Sequence, residues 1–155
     1  MMIFSVILSV LVLQSVALSQ RMVPSDKMGL LRGEGMGLAS AAEFNGFPGP
    51  KHVLDLADTL GLTPGQIETA KGLMEGVQAS ARIVGARIVQ AEEQLDSLFA
   101  AGGRIDGQVV GTLLQRIARL RADLRKIHLD AHVRMREVLT AGQIELYKRI
   151  RGYEP

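Results

Sequence analysis

The sequence contains no Cys and no Trp, and aromatic residues make up only 4% of it. Without Cys there is no disulfide framework, no thiolate metal site and no Cys nucleophile. The scarcity of aromatics argues against base-stacking platforms and aromatic cages. An excess of charge of one sign is also missing. Lys and Arg number 18 and Asp and Glu 16, a net charge of +2. That is too little for a nucleic-acid surface, despite a pI near 9.2. No acid–base pair or nucleophile–base set is spaced for catalysis, so a binding protein rather than an enzyme is expected. A chain of 155 residues is a prior for one domain.

The first 19 positions carry no charged side chain. Residues 3–18 are apolar apart from Ser5, Ser9, Gln14 and Ser15. As a helix they would span roughly 24 Å, short of a ~30 Å hydrocarbon core. Ala17-Leu18-Ser19 offers small residues at the −3 and −1 positions of a cleavage site before Gln20. Residues 1–19 are therefore read as a signal peptide, with an uncleaved anchor as the alternative; the n-region lacks Lys and Arg. Once the signal is removed, no stable membrane insertion is expected.

Residues 20–50 hold Gly29, Gly33, Gly35, Gly37, Gly46 and Gly49 with Pro24, Pro48 and Pro50. This density of breakers predicts a flexible arm with one helical turn around residues 38–44. Met22, Met28 and Met36 lie in it. Adaptable apolar contacts fit them better than soft Cu(I) coordination.

From residue 51 onward the pattern is helical. Residues 51–60 predict a short amphipathic helix stopped by Gly61. Leu62-Thr63-Pro64-Gly65-Gln66 and Leu139-Thr140-Ala141-Gly142-Gln143 each combine an N-cap Thr with a Gln three positions on, a capping box. Between them run two heptad seams. The first is Ile67, Ala70, Met74, Val77, Ala81, Val84, Ile88, Ala91, Leu95 and Leu98; the second is Val110, Leu113, Ile117, Leu120, Leu124, Ile127, Ala131 and Val138. Gly102-Gly103 separates them and Asp106 can cap the second. The fold class is all-α: an elongated antiparallel hairpin with short flanking helices, four in all. Leu73, Ile83 and Val89, and Leu114, Leu129 and Val133, lie off the seams and need cover, which the flanking helices and a second copy of the chain would supply. Gly72, Gly76 and Gly85 inside the long helix fit either close approach by another helix or plain surface positions.

The leader, the Gly-rich arm, the hooked helical layout and the two Leu-Thr-x-x-Gln motifs together resemble the Spy/CpxP family of periplasmic proteins. The resemblance covers about residues 50–153. It implies a cradle-shaped homodimer in the periplasm. The capping boxes make Thr63, Gln66, Thr140 and Gln143, with Leu62 and Leu139 of the same motifs, architectural. The resemblance leaves the task open, since the family includes ATP-independent chaperones, inhibitors of envelope-stress signalling, and metal sensors or resistance proteins.

His128 and His132 are one turn apart, a spacing that chelates Zn, Ni, Co or Cu. They lie beside the seam and are expected to be accessible. Folding back at Gly103 places Glu75 and Gln78 nearby, and His52 can hook toward the same end. The metal candidates are therefore His128, His132, His52 and Glu75. By the resemblance, metal-sensing members use His residues of the first and third helices, a Glu of the second and a Met. This chain has His-x-x-x-His where those sensors show His-x-x-x-Met.

The leading expectation is a chaperone or envelope-stress protein that holds unfolded or partly folded clients. The alternative is a heavy-metal sensor or resistance protein. A third reading is a partner for the periplasmic domain of a sensor kinase.

Overall fold

The computed structural model describes residues 26–153. The expected signal peptide and the start of the arm lie outside the described residues. Six helices follow in order: α1 Lys27–Arg32, α2 Ser40–Glu43, α3 Pro50–Asp55, α4 Pro64–Ala100, α5 Gly107–Val138 and α6 Ala141–Arg151. No strand occurs among the described residues.

The two heptad seams become α4 and α5, packed antiparallel. Ala81, Ile88 and Ala91 meet Ile117, Leu120 and Leu124 in one core cluster. A second cluster at the open end of the hairpin gathers Val53, Leu60, Ala70, Leu73, Met135, Leu139, Ile144 and Tyr147. With 37 residues, α4 is about 55 Å long, so the hairpin is a rod with a core at each half. Asp106 caps α5, its side chain accepting from the Gln108 N–H at 2.8 Å.

The flanking parts differ from the four-helix expectation. The helix expected over residues 51–60 is α3, which ends at Asp55. Beyond it the chain tightens into i→i+3 turns, with the Leu56 N–H bonded to the Val53 carbonyl and the Ala57 N–H to that of Leu54, both at 3.2 Å. The segment ahead of α3 adds two short helices. α1 buries Leu30 against the middle of the hairpin. Of the off-seam residues, Leu73 and Val89 are buried, whereas Ile83, Leu114 and Val133 stay 64%, 50% and 45% exposed.

The two Leu-Thr-x-x-Gln motifs interlock. Each Thr accepts from the backbone N–H of its own Gln, at 3.3 Å for Thr63 and 3.2 Å for Thr140. Each Gln Oε1 accepts the Thr N–H in return, at 3.0 and 2.9 Å. The Gln side chains then bond one another: Gln66 Nε2 donates to Gln143 Oε1 at 2.9 Å, and Gln143 Nε2 to Gln66 Oε1 at 3.1 Å. Gln66 also donates to the Val138 carbonyl, and Gln143 to that of Leu60, at 2.9 and 3.3 Å. Two helix starts 77 residues apart are thus one hydrogen-bonded unit. Gln66→Ala and Gln143→Ala should each cost about 1–3 kcal/mol. Because each removes the cross-bonds from the other's amide, the double variant should cost less than the sum, which urea unfolding of all four proteins would show. Strict additivity would mean that the cross-bonds contribute nothing.

Candidate metal centre

α5 presents His128 and His132 on one face, one turn apart. The segment that carries α2 and α3 lies across that face. Together they enclose a cleft of about 560 Å³, whose lining includes His52, His128, His132, Glu43, Met36 and Met74.

Glu43, the last residue of α2, is the polar hub. It is 5% exposed. Its Oε1 accepts from Nδ1 of His52 at 3.1 Å and from the Tyr147 hydroxyl. Its Oε2 accepts the Gly49 N–H at 3.1 Å and lies 3.4 Å from Nδ1 of His132. The Arg151 guanidinium is 3.9 Å from Oε1. Five partners from four other parts of the chain therefore converge on one buried carboxylate. Burial, and then the bond to Glu43, push the Tyr147 hydroxyl far above its ordinary range, so it stays a donor.

The same contacts fix the histidine tautomers. Nδ1 of His132 faces the Phe47 carbonyl at 2.7 Å, and a carbonyl only accepts, so Nδ1 carries the proton. Nδ1 of His52 faces a carboxylate and is assigned in the same way. With the proton on Nδ1, the ring nitrogen free to bind a metal is Nε2 in both. This is the arrangement in which an outer hydrogen bond orients a metal-binding imidazole. Gly49 makes room for it: a Cβ there would lie 2.8 Å from Nε2 of His132.

His128 is 7% exposed, and its Nε2 has no hydrogen-bond partner. Burial first, and then the neighbouring His132, hold its pKa below the ordinary histidine value, so it is a neutral donor. An unpartnered buried ring nitrogen costs about 1–3 kcal/mol, a cost that a bound cation removes. The donor set therefore fits a late transition metal ion. Among the described residues, no three His, Asp or Glu side chains are already gathered as a metal group. The reason is visible at Glu43, which holds the Nδ1 edges of His52 and His132 and has its oxygens occupied by hydrogen bonds.

The structure thus brings together three of the four sequence candidates. Glu75 is exposed and outside the cleft. It follows Met74, and one residue is about 100° of helix, which turns it to solvent. The expected accessibility of the α5 histidines is corrected: His128 is buried and the His132 side chain is 13% exposed, because the arm covers them. Sequence reasoning missed Glu43 and Met74. A signal for Glu43 did exist, since it is the sole acidic residue between positions 35 and 54.

Residues 35–145 match a family model described as heavy-metal resistance. The chain belongs to the heavy-metal resistance family. The matched span contains all six cleft residues named above. The chain matches no curated protein and no solved structure significantly. No helix among its described residues is long and apolar enough to cross a membrane.

Proposed function

We propose that this heavy-metal resistance protein is a non-enzymatic, periplasmic metal-binding protein, a sensor or scavenger whose cargo enters the cleft under the arm. The observation that carries this is the convergence of His52, His128 and His132 on one cleft, with a buried, unpartnered Nε2 at His128. The family match supports it. The resemblance to Spy/CpxP proteins and the apolar leader support the periplasm. His52, His128 and His132 would hold the ion, and Glu43 would orient two of the rings.

Titration with Zn, Ni, Co and Cu ions should give micromolar or tighter binding. His128→Ala combined with His132→Ala should weaken it by at least about tenfold. Unchanged affinity in that double variant would remove the site. A second reading, a chaperone for unfolded clients that acts as a homodimer, rests on exposed Ile83, Leu114 and Val133. Suppression of aggregation of a denatured client, lost when these three become Ser, would support it. Binding to a sensor-kinase periplasmic domain, read by pull-down, is the third expectation.

A further inference from the structure

We infer that the cleft selects a soft monovalent cation, Cu(I) or its redox-inert analogue Ag(I), over Zn(II), Ni(II) and Co(II), with the thioethers of Met36 and Met74 completing the donor set. This rests on the metal-binding reading above and adds to it the class of ion.

The first argument is charge. Taking a divalent ion out of water costs more than taking a monovalent one, and anionic ligands offset that cost better than neutral ones do. Two carboxylates line the cleft among the described residues. Both oxygens of Glu43 are occupied by the Tyr147 hydroxyl, the Gly49 N–H and the Nδ1 edges of two histidines. Glu34 is exposed and paired with Arg32 at 3.6 Å. Lys51 also lines the cleft. The donors left with open lone pairs are neutral: imidazole nitrogen and thioether sulfur. Such a set suits an ion of low charge and weak hydration.

The second argument is softness. Thioether sulfur discriminates sharply in favour of Cu(I) and contributes little to Zn(II), Ni(II) or Co(II). Met74 of α4 and Met36 of the arm both line the cleft that the three histidines line, so two elements bring a thioether residue to it.

The third argument is the backbone at Met36. Its φ is +43°, the one non-Gly residue with positive φ among those described. A side chain there costs about 1–2 kcal/mol that glycine would avoid, and Gly35 and Gly37 stand on either side. Strain of this kind gathers at ligand clamps. The Met36 sulfur rests over Gly29 of α1, where an added Cβ would come within 2.3 Å of it. That bare shelf leaves the thioether room, and its three rotatable bonds let it swing over the cleft.

The test compares wild type with the double variant Met36→Leu, Met74→Leu, which conserves volume. Ag(I) and Zn(II) affinities are measured by chelator competition, with far-UV circular dichroism confirming the helices. Wild type should bind Ag(I) more tightly than Zn(II). The double variant should lose at least about tenfold in Ag(I) affinity while Zn(II) moves less than about threefold. Methyl resonances of Met36 and Met74 should shift with Ag(I) and not with Zn(II). Equal losses for both ions, or unshifted methyls, would overturn the soft-ion inference alone, as would wild type that prefers Zn(II). Wild type that binds neither ion would overturn the metal-binding reading beneath it.

Discussion

Replacing Glu43 with Ala should destabilise the protein by about 3–5 kcal/mol, the cost of removing one partner from a buried, hydrogen-bonded charged cluster. The loss is large because of what stays behind. The Tyr147 hydroxyl and the Gly49 N–H would both be buried donors with no acceptor, and two imidazole Nδ1 edges would lose their carboxylate. Tyr147 is fully buried in the core cluster at the open end of the hairpin. The damage therefore spreads from α2 to α3 and α6. Thermal unfolding should show the midpoint falling by roughly 10–20 °C. Tyr147→Phe keeps the ring and removes one donor from Glu43, so it should cost less, about 1–3 kcal/mol. With Glu43 already Ala, Tyr147→Phe should instead be stabilising, because it removes a buried hydroxyl that has no acceptor left. If Glu43→Ala cost under about 1 kcal/mol, the carboxylate would not be organising the cleft, and the tautomer assigned to His52 would lose its basis.

The contrast between Glu43 and the capping boxes shows what the sequence could and could not reveal. Thr63 and Gln66, like Thr140 and Gln143, bond at a separation of three residues, so their geometry is written in local spacing. The heptad seams are local in the same sense, and so are the bounds of α4, α5 and α6. Glu43 reaches Tyr147 across 104 positions and the arm reaches α5 across about 90. No period announces such contacts. The arm illustrates the same limit. Its Gly and Pro content favours irregular chain, yet Leu30 inserts into the hairpin core, and Arg121 ties Asp26 to Glu92 at 3.0 Å on each side. Tertiary burial overrides the local signal there. Glu75 lies outside the cleft for a local reason. Folding back at Gly103 does bring its stretch of α4 opposite the α5 histidines, but helical phase turns Glu75 itself to solvent.

Gly85 yields the second large effect, and its sign separates it from the neighbouring glycines. An isolated helix gains about 1 kcal/mol when an internal Gly becomes Ala. Nothing lies within 4 Å of a Cβ added at Gly72 or Gly76, so Gly72→Ala and Gly76→Ala should each stabilise by up to that amount. At Gly85 the added carbon would sit 2.1 Å from the Leu30 carbonyl oxygen and 2.7 Å from its carbon. Those are backbone atoms, so no rotamer change relieves the clash. α1 itself must lift off, although the Lys27–Glu93 and Arg121–Asp26 pairs hold it at 3.0 Å each. Lifting α1 exposes Leu30, which is 1% exposed, at a cost of about 1.5–3 kcal/mol. Gly85→Ala should therefore destabilise by about 0.5–2 kcal/mol once the helix gain is deducted. Gly85→Leu should release α1 altogether, seen as rapid proteolysis at residues 26–34 with the hairpin intact. Stabilisation at all three glycines would mean that α1 does not dock at Gly85. The arm would then no longer close over His128, and the burial of that ring, on which the metal reading depends, would go with it.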